Sequence, residues 1–287
     1  MEFYIIQALL GALLFGLGGI LFKWNIHNSG DEVFFFFGLY TIGALFFFID
    51  GFDEIGALDH IQFYVMAAFI GLGSAGGNYA FSRGLNHGPA GLTSAFAKAN
   101  IVVVILISSF YYGEALTLLE FLGILSFLMA MLVVNVRFGK GSKAVSSLWF
   151  VIMLICILLI SFRNGGLKIA EEAGMPSTPI MILAYGYCAL FYFLAMIHKR
   201  KKIWVGKATR LKVVIVGGFT GIVSYAGLYF YIKALETGPG SVVVTIFSLD
   251  MFFLLLASYL FFGERLNFKQ KIGFALSALG FVLIALN

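Results

Sequence analysis

Charged residues are scarce in this chain of 287 residues. Asp, Glu, Lys and Arg together form 11% of it and hydrophobic residues form 61%, whereas a soluble domain has roughly 25% charged residues. A water-soluble fold of this length could not hide so much apolar surface. We therefore expect lipid to surround most of the chain.

Residues that build disulfide frameworks, metal centres and hydrolytic sites are also few. Cys156 and Cys188 lie inside apolar runs without metal or disulfide spacing, so we expect them to be packing residues. The four histidines fall in predicted loops without ligand spacing; they are His27, His60, His87 and His198. We expect no catalytic residue, no bound metal ion and no cofactor.

The chain has no basic patch, although its net charge is +5. Its Lys and Arg residues occupy short segments between apolar runs, which membrane topology explains better than binding to nucleic acid, and no nucleic-acid partner is expected. No basic region precedes the first apolar run and no small-residue cleavage site follows it. We predict that this run is a retained membrane span.

Ten apolar stretches are long enough to cross a bilayer as helices. They cover roughly residues 3–22, 32–50, 62–86, 90–112, 117–136, 147–170, 177–197, 212–235, 240–262 and 268–286. Most connections are short, so neighbouring spans should be antiparallel. The sequence predicts an all-α membrane protein with ten transmembrane helices.

The chain contains an internal repeat. Residues 64–136 resemble residues 214–286 without a gap at an offset of 150, and the first span resembles the sixth more weakly at an offset of 147. Such duplication is typical of membrane carriers. We predict a first five-helix repeat over 1–137, a cytoplasmic linker over 138–146 and a second five-helix repeat over 147–287.

An odd number of spans in each repeat requires the two copies to be inverted relative to one another. Charge agrees, because the segment 50–60 is acidic whereas its counterpart 198–212 is basic. Fifteen of the nineteen Lys and Arg residues lie in or beside the segments that follow odd-numbered spans. By the positive-inside rule those segments are cytoplasmic, which places both termini outside.

Two Gly-Glu pairs end the fourth and ninth spans. Gly113-Glu114 and Gly263-Glu264 occupy equivalent repeat positions. Glycine permits the left-handed turn that stops a helix, and a carboxylate is favoured near the positive end of the helix dipole. We expect each glutamate to lie near the start of the next helix.

The duplicated motifs resemble those of the drug/metabolite transporter superfamily, in its ten-span members built from two EamA-type repeats. The motifs that carry this likeness are Gly84-Leu85-Asn86-His87-Gly88-Pro89, its copy Ala234-Leu235-Glu236-Thr237-Gly238-Pro239, both Gly-Glu pairs, Gly123 and Gly273. The resemblance covers essentially the whole chain and implies solute transport. It does not single out one substrate class.

Many relatives have proline near the middle of the fourth and ninth spans. This chain instead has Phe96-Ala97-Lys98-Ala99-Asn100 and Phe247-Ser248-Leu249-Asp250-Met251 in those regions. Proline is the usual cause of a sharp bend within a helix. We therefore do not expect these two spans to be kinked.

Charged groups at membrane depth are candidate functional residues, since each costs roughly 2.5–3.5 kcal/mol to insert. Lys98 and Asp250 are the deepest, and Asn100 is the repeat equivalent of Asp250. Either Lys98 and Asp250 pair across the repeats, or they line a cavity and meet a charged solute, with Asp250 also able to carry a proton. Helix geometry predicts that their side chains point to different sides.

Further polar side chains complete the predicted substrate-binding set. They are Arg163 and Asn164 in span six; Ser74, Asn78 and Tyr79 in span three; Tyr225 and Tyr229 in span eight; and Gln7 in span one. Residues 74 and 78 share a helix face, as do residues 225 and 229. For a single tyrosine, a hydrogen bond to a neighbouring helix is as plausible as contact with a solute.

We predict a secondary transporter that moves a small amino acid or organic anion by alternating access. The expected partners are that solute, the lipid bilayer and, as an open alternative, a coupled proton or other ion. A multidrug exporter with aromatic walls is the alternative within transport; a membrane-embedded enzyme or a non-transporting receptor is less favoured. The expected location is a bacterial or archaeal plasma membrane.

Overall fold

The computed structural model describes residues 3–57, 60–112, 116–135, 146–200, 207–237, 243 and 246–286, and all regular structure within them is helical. The helices are Phe3–His27, Glu32–Asp50, Ile61–His87, Ala90–Ala97, Asn100–Tyr112, Leu118–Asn135, Ser147–Glu172, Ser177–Arg200, Lys207–Thr237, Asp250–Phe262 and Phe268–Ala285, with a 3-10 turn at Phe52–Ala57. They correspond to the ten predicted spans, numbered one to ten below. The predicted linker 138–146 lies outside the described residues apart from Ser146.

Five of the described helices, those of spans one, two, six, seven and eight, are long and apolar enough to cross a membrane. Large apolar side chains also remain uncovered on the protein, as Phe261 and Phe268 show with 74% and 77% exposure. Lipid is the medium in which such surfaces are stable. The predicted all-α membrane fold is therefore confirmed.

Local sequence explains how two of these helices begin and end. Asn267 and Gln270 form a capping box at the start of span ten, which satisfies two amide groups that have no helical acceptor. Gly263 ends span nine with a left-handed φ of 65°, a conformation that glycine adopts without strain. The expected role of this glycine is confirmed.

The chain forms two compact units, and each contains segments of both repeats. The first unit comprises 1–20, 80–158 and 227–287, whereas the second comprises 21–79 and 159–226. Spans one, three, six and eight therefore contribute residues to both units.

Close helix packing in the first unit depends on glycine in spans five and ten. A Cβ atom added to Gly123 would lie 2.8 Å from the carbonyl oxygen of Gly280, and one added to Gly280 would lie 2.8 Å from that of Gly123. The hydroxyl of Ser126 donates to the Leu276 carbonyl at 2.8 Å beside this contact. Small residues of this kind allow membrane helices to approach closely.

Spans two and eight approach one another in the same way in the second unit. A Cβ atom on Gly38 would collide with the Val214 carbonyl, and one on Gly217 would collide with the Phe35 carbonyl. The two backbones are therefore in direct contact along this face. This packing fixes the two helices that carry Tyr40 and Ser224.

Candidate functional site

Span four is interrupted in the middle, and span nine is interrupted at the equivalent repeat position. Lys98-Ala99 forms a turn between Ala90–Ala97 and Asn100–Tyr112, and Ser248-Leu249 forms a turn just before Asp250–Phe262. The offset between the two turns is 150, the same as that of the repeat. The expectation that these spans are unkinked because they lack proline is wrong.

The backbone hydrogen bonds explain how the helices break without proline. In both repeats, three amides donate to the carbonyl three residues earlier. In span four these bonds join Ala99 to Phe96, Ile101 to Lys98 and Val102 to Ala99. In span nine they join Leu249 to Ile246, Met251 to Ser248 and Phe252 to Leu249. Such bonds tighten the chain locally into 3-10 geometry. In span four, Nδ2 of Asn100 donates to the Ala97 carbonyl at 2.6 Å. A short polar side chain thus provides the hydrogen bond that a continuous helix would supply.

The two charged residues at these breaks form an ion pair within the first unit. Nζ of Lys98 lies 2.8 Å from Oδ2 of Asp250, and the two side chains are 16% and 10% exposed. The prediction that they point to different sides is wrong, because it assumed continuous helices. The turn at residues 98–99 and the length of the lysine side chain bring them together.

An aromatic cluster lies beside this ion pair. The ammonium of Lys98 is 5.8 Å from the centroid of the Phe247 ring, within the range of a cation–π interaction. That ring packs against Phe15 at 4.9 Å and against Tyr231 at 4.4 Å between centroids. The ion pair is therefore flanked by the apolar surface of these rings.

Span one packs directly against the break in span nine. A Cβ atom on Gly16 would lie 2.7 Å from Cβ of Phe253 and 3.3 Å from the carbonyl oxygen of Asp250. One on Gly11 would lie 3.0 Å from the Phe247 ring. Glycine in span one therefore allows close contact with the helix that presents Asp250.

Asp250 retains an unused acceptor. Its Oδ1 atom is buried and has no hydrogen-bond partner among the described residues, whereas Oδ2 binds Lys98. A buried polar atom without a partner costs free energy and commonly marks a functional position. The carboxylate can accept a hydrogen bond from a solute amine or hydroxyl, or it can bind a proton.

Two of the three predicted residues of span three, Ser74 and Asn78, belong to a hydrogen-bonded network in the second unit. Nδ2 of Asn78 donates to the Tyr40 hydroxyl at 2.9 Å, and that hydroxyl donates to the Ser74 carbonyl at 2.8 Å. The Ser74 hydroxyl itself is buried without a partner among the described residues. Tyr192 stacks on Tyr40 at 5.6 Å and donates to the Ala75 carbonyl at 3.2 Å.

Sequence reasoning missed Tyr40 and Tyr192, and also Tyr185, whose hydroxyl lies 3.3 Å from that of Ser224. These tyrosines lie in spans two and seven, outside the duplicated segments that directed attention to spans three and eight. All three are buried. A buried tyrosine in an apolar helix needs a hydrogen-bond partner, and this was the available signal.

The predicted tyrosines of spans three and eight occupy separate surroundings. Tyr225 packs against the Phe47 ring at 5.1 Å, whereas Tyr79 and Tyr229 are 38% and 37% exposed. The sequence predicts that residues 225 and 229 share a helix face. Neither has a described contact with Lys98 or Asp250. The role of these tyrosines in binding stays a prediction.

Arg163 and Asn164 lie together in the second unit. Nε of Arg163 donates to Oδ1 of Asn164 at 3.1 Å. Gln7, in the first unit, has a buried Oε1 atom without a hydrogen-bond partner among the described residues. No group of three or more His, Cys, Asp and Glu side chains within the described ranges is placed to hold a metal ion.

Comparison with protein families supplies the decisive observation. The EamA-like transporter family matches residues 2–136 and again residues 147–286. The chain belongs to the EamA-like transporter family. The chain therefore consists of two repeats of five spans. The predicted superfamily and repeat architecture are confirmed.

Solved structures show the same fold as this EamA-like protein. One, titled only "Crystal structure of protein", has a TM-score of 0.63 and 17% sequence identity over 99% of this chain and 96% of its own. At that identity the likeness concerns the fold alone. A search of curated proteins found no match.

Proposed function

We propose that this EamA-like protein is a secondary transporter for a small polar or amphipathic metabolite, with an amino acid or an organic anion as the solute. The observation that carries the proposal is the Lys98–Asp250 ion pair at equivalent breaks of spans four and nine. Of these two opposite charges at membrane depth, the Asp250 carboxylate can bind the amine of a solute. The two charges can also separate when a solute or a proton takes one partner.

The hydrogen bonding of the pair supports a working role rather than a purely structural one. Oδ1 of Asp250 has no partner among the described residues, so the carboxylate is incompletely satisfied in this state. A buried ion pair returns little net stability for its desolvation cost. A solute amine that reached Oδ1 would complete the hydrogen bonding of Asp250.

The broken helices support movement at the same place. A helix interrupted by 3-10 bonds loses part of its regular ladder, so it can bend there at less cost than an unbroken helix. Discontinuous helices at the repeat interface carry the substrate sites of many transporters that work by alternating access. We propose that solute binding at Asp250 and bending at these turns are coupled.

The aromatic cluster favours a second candidate within transport. Phe15, Phe247 and Tyr231 lie against one another beside Lys98, and ring surface next to a carboxylate suits an amphipathic cation. Export of hydrophobic compounds is therefore the alternative function. The two candidates differ in the solute that competes for Asp250.

We further propose the topology predicted from charge, with both termini outside and repeats over 1–137 and 147–287. One contact supports the placement of the segments before span four and after span nine on the same side of the membrane. The carboxylate of Glu264, after span nine, accepts a hydrogen bond from the amide of Ala90, at the start of span four, at 2.8 Å. Membrane-impermeant labelling of single cysteines at 50–60 and 198–212 tests the inversion, since these segments should react from opposite sides.

Flux in proteoliposomes tests the proposed function. Purified protein is reconstituted and uptake of labelled amino acids, organic acids and amphipathic cations is measured with and without a pH gradient. Asp250→Asn, which keeps the size of the side chain and removes its charge, should reduce flux at least tenfold. Asn28→Asp, at an exposed position after span one, is the control and should transport like the parent.

The charge-reversed double variant distinguishes pairing from solute contact. If Lys98 and Asp250 only hold two helices together, Lys98→Asp combined with Asp250→Lys should restore flux. If Asp250 meets the solute or the proton, the reversed pair should remain inactive although the protein is folded. Parental flux in Asp250→Asn would remove Asp250 from the mechanism.

A further inference from the structure

A single arginine lies in the described part of span six without an acidic partner. Arg163 is partly buried within Ser147–Glu172, a helix that is apolar over Ser147–Leu167. Its Nε donates to Asn164 Oδ1 at 3.1 Å, and no carboxylate of the described residues forms an ion pair with it. A cation in a membrane span costs several kcal/mol, about 2.5–3.5 on insertion scales, so it normally has a partner or a role.

The repeat shows that the fold does not require this arginine. At the offset of 147 that relates spans one and six, Arg163 corresponds to Gly16 and Asn164 corresponds to Leu17. The first copy thus forms its helix with no polar group at either position. The pair Arg163-Asn164 is therefore present in the second copy alone, which favours a role in function over a role in folding.

The backbone beneath Arg163 is tightly held. A Cβ atom on Gly73 of span three would lie 2.5 Å from the Arg163 amide nitrogen and 2.7 Å from the Leu159 carbonyl oxygen. Phe162 stacks on Phe69 at 4.9 Å directly before it. The guanidinium is therefore presented from a fixed backbone, with one N–H group bound to Asn164 and the others available for an anion.

We propose that Arg163, oriented by Asn164, binds the carboxylate of the transported solute. This inference rests on the proposed transport function and favours organic acids and amino acids over the amphipathic cations of the alternative function. A guanidinium presents parallel N–H groups that match the two oxygens of a carboxylate. Asn164 occupies Nε and so leaves the terminal nitrogens as the binding edge.

Matched solute pairs test the proposal. The probes are L-alanine, L-leucine and L-phenylalanine, each compared with its amide, which keeps the amine and removes the carboxylate charge. The parent protein should bind or transport the acids better than the amides by at least about tenfold, as expected for one charge-assisted contact. Arg163→Gln should lose this preference while flux of the amides persists.

Asn164→Asp is the sharper variant, because it keeps the shape of the side chain and places a carboxylate 3.1 Å from Nε. The new charge should occupy Arg163 and abolish the preference for acids as Arg163→Gln does. Asn28→Asp makes the same chemical change at an exposed site and should keep the preference. Circular dichroism and size-exclusion profiles confirm that each variant is folded.

Two results would overturn the inference and leave the proposed function standing. One is parental transport of acids and amides at equal rates. The other is an unchanged preference in Arg163→Gln, which would show that Arg163 only extends toward the membrane surface. Failure of the proposed function itself is distinct, because then none of the labelled amino acids, organic acids and amphipathic cations would cross the membrane in the parent protein.

Discussion

A double-mutant cycle on the ion pair measures whether Lys98 and Asp250 act as one unit in the folded protein. At 2.8 Å and an effective dielectric constant of about 20, the gross attraction between two unit charges is about 6 kcal/mol. Desolvation offsets much of this gain, and breaking a buried pair from one side costs about 3–5 kcal/mol. Slight exposure of both side chains, 16% and 10%, points to the lower end of that range.

We expect Lys98→Met and Asp250→Asn each to lower the free energy of unfolding by about 3 kcal/mol, since each leaves one buried group unpaired. The double variant removes both charges and should cost much less than the sum of the single changes. The expected coupling energy is about 2–3 kcal/mol. Salt should change it little, because buried pairs are screened weakly.

Unfolding of the purified protein in mixed detergent micelles, with increasing sodium dodecyl sulfate, provides the measurement. Tryptophan fluorescence and circular dichroism should give the same transition for all four proteins. The matched control is the same cycle on Lys98→Met with Asn28→Asp, which should be additive. Additivity within about 0.5 kcal/mol for Lys98 and Asp250 would refute the ion pair as a stabilising unit.

Three further variants test contacts on which the site depends. Glu264→Gln should lower the unfolding free energy by about 1–2 kcal/mol, since it weakens a charge-assisted bond to the Ala90 amide at a helix start; an unchanged transition in the detergent titration would contradict this. Asn100→Leu should cost about 1–3 kcal/mol by leaving a carbonyl unsatisfied, and parental stability in the same assay would show that another group replaces it. Gly280→Leu should prevent spans five and ten from meeting at Gly123, so its yield after mild detergent extraction should fall well below that of the parent protein; equal yields would mean that the helices separate at little cost.

Much of the fold could be predicted because membrane helices carry a strong local signal. Apolar length located the spans, and the Gly-Glu motif located the end of span nine, where Gly263 has the expected left-handed φ. Glu264 also accepts a hydrogen bond from the amide of Ala90, at the start of span four. The sequence could not predict this contact, because the two residues are 174 positions apart.

The candidate site was predicted by residue type but not by geometry. Scarcity of charge was sufficient to select Lys98 and Asp250, because insertion cost makes every such residue informative. Their pairing was one of the two alternatives that the sequence left open. Helical periodicity argued against it because it assumed a continuous helix through a turn that no proline marks. The signal was present in Asn100, whose short amide competes with the backbone for hydrogen bonds.

The tyrosine network was missed for a different reason. Tyr40, Tyr185 and Tyr192 resemble lipid-facing or interfacial aromatics in a one-dimensional pattern, and only packing reveals their partners. Their hydroxyls bind Ser74, Ser224 and Ala75, across helices that are distant in sequence. Periodicity within one helix cannot identify contacts of this kind.

The division of the chain has a consequence for biosynthesis. The second unit joins residues 21–79 to residues 159–226, and the first unit likewise needs residues from beyond position 226. The first half of the chain therefore cannot complete either unit while the ribosome is still translating the second half. We expect the early helices to remain in the bilayer without their later partners during synthesis, and to be open to membrane proteases in that interval. Halves produced separately should be unstable until they associate.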